Sequence, residues 1–243
     1  WRGLDAGGVV VFATDEGARD AAEGAGLNAY FNNEIFDSMP KNAAARYGDR
    51  TFALMMHAKT AAVHLTLSLG HDVLFLDVDV VPHRDVASHF RSRYRDDGGY
   101  DVVFQDDGAR TPRYGPYSPN SGLFYARHSP ATVRLFDALL KDGDLVLQWG
   151  SQQQVLAMLV SEHSSLFGLR AKTLKLRGGE FPGGWHFHRD PAYMKDLAKG
   201  KAEPVAFHMS WTEGKADKVK YLQQLGEWRL DDACTGSAGA LGG

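Results

Sequence analysis

The sequence predicts an α/β domain built on a mixed, mainly parallel sheet flanked by helices. Three observations carry that expectation. A short β-branched run is followed by a turn and a helical stretch; a long helical pattern leads straight into an unbroken apolar strand; and further strand and helix patterns alternate to the end. The chain has 243 residues, 44% hydrophobic and 23% charged, which is ordinary globular composition. One domain over residues 1–230 is expected, with 231–243, ending TGSAGALGG, too poor in apolar residues to pack and expected to be disordered.

In chain order, VVVFA at 9–13 reads as a strand, Thr14-Asp15 as a turn and the small-residue stretch to Gly26 as a helix. From 51 to 69, Phe52, Met55, Met56, Val63 and Leu67 recur at helical spacing, and Gly70 supplies a helix end. DVLFLD then reads as a parallel strand covered on both faces, because its apolar residues do not alternate. DVVFQ at 101–105 and GLFYA at 122–126 read as strands separated by a Pro/Gly/Tyr-rich loop. Helices follow at 131–140 and 152–160, RGGEFPGGW at 177–185 reads as an irregular loop, and VAFHM at 205–209 is a last strand before a helix at about 216–224.

The global charge narrows the partners. A formal net charge of -3 and a pI near 6.4, with no basic run interleaved with aromatics, argue against nucleic acid. Cys234 is the only cysteine, so neither an internal disulfide nor a cysteine-based zinc site can form. No apolar stretch reaches the roughly 18 residues of a membrane span. The sequence opens at Trp1 without an initiator methionine, which leaves room for an anchor upstream.

Chemistry concentrates at Asp77-Val78-Asp79. Both carboxylates stand at the carboxyl end of an apolar strand, the edge where open α/β sheets place ligands. On a continuing strand they would share a face and reach one divalent cation, which would neutralise a diphosphate. Solvated turn aspartates are the bland alternative. A second chemical alternative is a haloacid-dehalogenase-like phosphatase with Asp77 as nucleophile, although Asp106-Asp107 follows too soon to be its magnesium pair.

Other candidates are weaker singly. Lys59 lies on the apolar stripe of the preceding helix and needs an anionic partner if buried, for which a phosphate or donor sugar would serve. Pro119-Asn120-Ser121-Gly122 reads as a turn in which Asn120 could bond sugar hydroxyls and Gly122 permit close approach. Ser151 is a plausible N-cap beside Gln152 and Gln153. His208 could complete an oxygen-rich metal site, and Gly214, Lys215 and Lys218 could hold phosphate at a helix start. His186 and His188 alternate on a stretch read as a solvated loop.

Taken in order, VLFLDVDVV, NSGLFYAR, SQQ and FHMSWTEGKADKVKYLQQLGEW resemble the nucleotide-diphospho-sugar transferases, close to glycosyltransferase family 77, over about residues 9–230. The resemblance implies a GT-A, Rossmann-like fold and retaining transfer of arabinose, xylose or galactose from a UDP-sugar to a glycan or glycoprotein. Mn²⁺ or Mg²⁺ would be held by Asp77, Asp79 and His208, with phosphate contacts from Gly214 and Lys218. Lys59 and Asn120 would meet the donor sugar, Gln152 would line its face, and Thr14 and Asp15 would lie near the nucleobase and ribose. Val78 and Gly122 complete the expected donor site, with Asp77, Asp79 and Gln152 as its catalytic residues. The Golgi lumen, as the soluble part of a type II membrane protein, is the implied location. Relatives usually carry aspartate where this chain has Ser151, so a catalytically inactive sugar-nucleotide-binding domain stays open as an alternative.

Overall fold

The computed structural model describes residues 6–36, 39–40, 44–96, 99–228 and 230. The expected disordered tail therefore lies outside the described residues. Strand β1 (Val10–Phe12) leads through Asp15, whose side chain accepts from Ala18 N at 2.7 Å, into helix α1 (Glu16–Gly24), and β2 (Asn28–Tyr30) returns parallel to β1. A short helix α2 (Asn33–Phe36) precedes α3 (Arg50–Ser68). Asp49 caps α3 by accepting from Phe52 N at 2.8 Å. Gly70, at φ +89°, ends it as the glycine signal predicted, because the left-handed conformation needed there penalises a Cβ.

Strand β3 (Val73–Leu76) turns sharply into β4 (Val80–Pro82), followed by α4 (Val86–Phe90), β5 (Val102–Asp106) and β6 (Pro119–Ala126). Helices α5 (Pro130–Lys141), α6 (Gly143–Trp149) and α7 (Gln152–Leu166) come next, then β7 (Ala171–Thr173), α8 (Gly184–Arg189), α9 (Pro191–Ala198), β8 (Ala206–His208) and α10 (Lys215–Gln224).

The four-stranded sheet has the order β3-β6-β5-β7. Strand β6 runs antiparallel to both β3 and β5, while β5 and β7 are parallel, so three strands share a direction around one reversed strand. The mixed sheet flanked by helices agrees with the expected fold class. Two local expectations change. The DVLFLD strand pairs with antiparallel β6, and only Val73 of β3 is fully buried, because the strand lies at the sheet's edge in this order. The strand expected from Gly122 begins instead at Pro119, so Asn120 and Ser121 are strand residues rather than a turn.

Period-two alternation splits β5 and β6 between two apolar layers. Val102, Phe104, Phe124 and Ala126 pack with Leu135, Phe136, Leu139, Val155 and Leu159 of α5 and α7. Val103, Leu123 and Tyr125 face the other way, onto Val86, Phe90 and Phe181. Burial of each large apolar side chain contributes about 1.5–3 kcal/mol, so the doubly covered pair β5 and β6 is the rigid base on which the sheet's carboxyl edge is mounted. The small sheet of β4 and β8 sits beside it, with Val80 paired to His208. That single register brings two segments more than a hundred residues apart to one point.

Candidate functional site

The sharp connection from β3 to β4 is Asp77-Val78-Asp79 itself. Asp77 O accepts from Val80 N at 3.0 Å, closing a turn, so the two carboxylates converge by turning rather than by sharing the face of a continuing strand. Val78 is fully exposed at the tip. Asp77 N donates to Gly122 O at 2.7 Å, continuing the β3–β6 ladder by one residue and anchoring the turn.

Register on the second sheet delivers His208. Its Nε2 lies 3.3 Å from Asp79 Oδ1 and 4.0 Å from Asp77 Oδ2, and ligand atoms of the three residues all lie within 4.8 Å of one another. The imidazole is buried and its Nδ1 is 2.8 Å from Gln105 Oε1. Gln105 Nε2 donates to the carbonyls of Phe181 and Pro182 at 3.0 and 3.2 Å, which fixes the amide with its oxygen toward His208. Nδ1–H is therefore the donor to Gln105, and Nε2 is the nitrogen aimed at the carboxylates. Such a second hydrogen bond is how metal-ligating histidines are oriented.

Two lysines flank the carboxylates. Lys59 Nζ is 2.8 Å from Asp77 Oδ1 and lies 5.0 Å from the centre of the Phe75 ring. The anionic partner expected for Lys59 is thus Asp77, a group of the protein itself. Lys218 Nζ donates to Asp79 Oδ2 at 2.6 Å. Burial alone would raise Asp79, but its hydrogen bond to His208, the His208 charge and Lys218 together hold its carboxyl well below the usual carboxylate range. An ammonium has three donors, so Lys218, a third exposed, can keep Asp79 and still reach a phosphate oxygen. Gly214 caps α10 beside it, and both Gly214 and Lys215 are exposed.

The residues fit a divalent cation. Two carboxylates and one oriented imidazole nitrogen suit Mn²⁺ or Mg²⁺ with further oxygen ligands. Space for them depends on Gly122, since a Cβ there would lie 2.6 Å from His208 Cε1 and 2.9 Å from Asp77 Cγ. The close approach read for Gly122 is therefore that of Asp77 and His208.

One wall of the site is polar and buried. Asn120 Nδ2 donates to Asp107 Oδ1 at 2.9 Å, and Asn120 Oδ1 accepts from Gly122 N at 2.8 Å. Trp211 Nε1 donates to Asp107 O at 2.6 Å. Burial pushes the Asp107 carboxyl up, partly offset by hydrogen bonds from Asn120, Gln153 and Trp211. Gln153 accepts from Ser121 N at 2.9 Å, and Ser121 Oγ reaches Gln152 Oε1 at 3.4 Å. Ser151 caps α7 as expected, accepting from Gln153 N, and is bonded by Tyr47 OH at 2.9 Å while almost fully buried.

Other singled-out residues have local roles or stand apart from the cluster's bonds. The Asp15 side chain is engaged as the α1 cap, and among the described residues no hydrogen bond or ion pair links Thr14 or Asp15 to the Asp77, Asp79 and His208 cluster. The stretch with His186 and His188 is helix α8 rather than a solvated loop. His186 is buried, accepts from Gly183 N at Nδ1 and lies 2.7 Å from Leu176 O at Nε2, which makes it a structural histidine. Asp106 and Asp107 diverge, Asp106 to Arg110 and Asp107 to Asn120, so they do not present paired carboxylates as a phosphatase would need.

Gln105, Asp107, Gln153 and Trp211 were not singled out as site residues. Gln105 and Asp107 had a usable signal, being polar residues at the carboxyl end of an apolar strand. Trp211 had none: it holds φ +58°, a conformation uncommon for a bulky residue that costs of order 1–3 kcal/mol. Its neighbours enforce it. Ser210 N donates to His208 O at 2.8 Å, Gly184 N donates to Ser210 Oγ at 3.2 Å, and Gly184 has no room for a Cβ against Ser210 O.

A mixed α/β sheet thus carries a carboxylate–carboxylate–histidine cluster, able to hold a metal ion, between two lysines. The model of the nucleotide-diphospho-sugar transferases matches residues 7–222, and the chain belongs to that family. It is therefore a glycosyltransferase by family, acting on a sugar nucleotide donor. Among solved structures it is similar to a glycosyltransferase involved in the glycosylation of the major capsid of PBCV-1, at 11% identity over 85% of this chain and 88% of that one, with a TM-score of 0.48. No curated protein matches the chain.

Proposed function

We propose that this chain is a metal-dependent, retaining glycosyltransferase of the family 77 type, one domain over residues 1–230, which moves arabinose, xylose or galactose from a UDP-sugar to a glycan or glycoprotein in the Golgi lumen. The observation that carries the reading is the convergence of Asp77, Asp79 and His208 within 4.8 Å between Lys59 and Lys218. The choice of sugar, the retaining outcome and the compartment rest on the motif resemblance.

Asp77, Asp79 and His208 would hold Mn²⁺, or Mg²⁺, with Gln105 orienting the imidazole. The cation supplies Lewis-acid neutralisation of the diphosphate when bound. Lys218 and the amino end of α10 add positive potential for the same group as the sugar's bond to the phosphate oxygen breaks. That bond's electron pair leaves with UDP, the acceptor oxygen forms the new glycosidic bond, and its proton passes to the departing phosphate oxygen. Asn120 and Gln152 lie on the polar wall toward the donor sugar. Asp107 places a buried carboxylate on that wall, where Ser151 offers none.

The test is transfer or hydrolysis of UDP-galactose, UDP-xylose and UDP-arabinose with Mn²⁺, comparing wild type with Asp79→Ala. Turnover that needs Mn²⁺ and disappears in the variant is expected. Turnover unaffected by chelation, or an equally active variant, refutes the mechanism. Donor binding without turnover on any acceptor favours an inactive binding domain instead.

A further inference from the structure

We infer that Trp211 is the stacking platform for the acceptor's sugar ring, an inference that rests on the transferase reading of the neighbouring site. The first observation is exposure where it is least expected. Trp211 is 41% exposed although its loop is tied down on every side, and its one polar atom is already bonded to Asp107 O. Its exposed indole face is a large apolar surface that a ligand ring can cover.

The second observation is how firmly the ring is held. The residue keeps φ +58°, Thr212 beside it is buried and shares a 3.0 Å hydrogen bond with His188 Nε2, and Gly184 packs directly beneath. Backbone strain maintained by surrounding structure marks positions where a side chain must be presented in one direction. The nearby Trp185 differs: its ring is half-buried, sits against Gly108, and carries the Arg177 guanidinium at 5.7 Å. Among the described residues no ring or cation stacks on Trp211.

The third observation is position. Trp211 lies three residues beyond His208, at most about 11 Å along an extended chain. It also connects by hydrogen bonds through Asp107 and Asn120 to Gly122, which borders Asp77. Asn120 and Gln152, donor-facing under the proposed function, are only 3% exposed, whereas Trp211 at 41% is the exposed end of this hydrogen-bonded chain. The molecule that meets the exposed end is the one that arrives second. A sugar ring has an apolar face of C–H groups that packs on an indole, while its edge hydroxyls stay free for polar neighbours such as Ser210 and Glu213.

Two variants separate the ring from the fold. Trp211→Gly accepts the positive φ without strain and removes the platform, whereas Trp211→Phe keeps an aromatic face but loses the bond to Asp107. The probes are di- to tetrasaccharides of galactose, xylose and arabinose, titrated by calorimetry without nucleotide and then used as acceptors. UDP with Mn²⁺ is titrated separately by calorimetry, so failure of the donor site and failure of the platform read independently.

The expected result is glycan binding by wild type, an acceptor KM raised about tenfold or more in Trp211→Gly, and most of the affinity kept in Trp211→Phe. The UDP–Mn²⁺ dissociation constant moves by less than about threefold in both. The proposal is overturned if Trp211→Gly binds the glycans as wild type does, if its UDP–Mn²⁺ affinity falls in step with acceptor affinity, or if no glycan of the panel perturbs wild type.

Discussion

Gly122→Ala tests the geometry of the cluster most directly. Gly122 sits in strand β6 with no positive φ, so alanine is acceptable to its backbone and the effect is steric alone. The added methyl would stand 2.6 Å from His208 Cε1 and 2.9 Å from Asp77 Cγ, against about 3.5–4.0 Å for an ordinary carbon contact. The two side chains must therefore separate by about 1 Å. Overpacking of that size costs about 1–3 kcal/mol in stability. The cation should suffer more, because ligand distances must hold within about 0.2 Å. A loss of about 10–100-fold in Mn²⁺ affinity, the usual effect of disturbing a supporting residue, is expected. At saturating metal a hundredfold loss removes about 2.7 kcal/mol of Mn²⁺-dependent stabilisation. Calorimetric titration with Mn²⁺, and thermal melting with and without it, measure both quantities. A variant that binds Mn²⁺ within twofold of wild type and melts at the same temperature would show that Asp77, His208 and Gly122 do not share one crowded site.

Three further outcomes are expected. Gln105→Leu frees His208 Nδ1 and removes the donor to the Phe181 carbonyl, while Pro182 O keeps its bond from His208 N, so it should lower stability by about 1–3 kcal/mol and Mn²⁺ affinity by about 10–100-fold; metal binding that survives would refute the orienting role. Because burial raises the Asp107 carboxyl, the native state holds an extra proton between the unfolded pKa of about 3.9 and the higher folded value, and stability falls as pH rises through that window. Asp107→Asn should remove this slope, which unfolding free energies measured across the window would reveal; identical pH dependence in both proteins contradicts it. Lys59→Met leaves the Asp77 and Asp79 charges with less compensation, so metal-free protein should melt lower and recover more on adding Mn²⁺ than wild type does, whereas an equal Mn²⁺ increment argues against a cation in the cluster.

The local pattern was enough for most elements. Helix α3 and its glycine stop, α5, α7 and α10 follow from periodicity and caps, because those signals act over one or two turns of chain, and strands β5 and β8 lie within the apolar runs DVVFQ and VAFHM. Shorter pieces such as β2, β4, β7 and α6 have too few residues to show a period. The ordered motifs also identified Asp77, Asp79, His208 and Lys218 as candidates, and they do converge.

What the sequence determined by itself was therefore the inventory: which segments are helix or strand, and which side chains can bind a cation and a diphosphate. Tertiary structure decided how they meet. The anchoring of the Asp77 turn on Gly122 of the antiparallel β6 and the pairing of Val80 with His208 depend on contacts between distant segments that no short window records. The same holds for Lys59, whose partner proved to be Asp77, and for Trp211, whose indole bonds Asp107 O and whose loop packs against Gly184, both distant in the chain. Side-chain chemistry is written residue by residue, but burial and approach are properties of the packed chain.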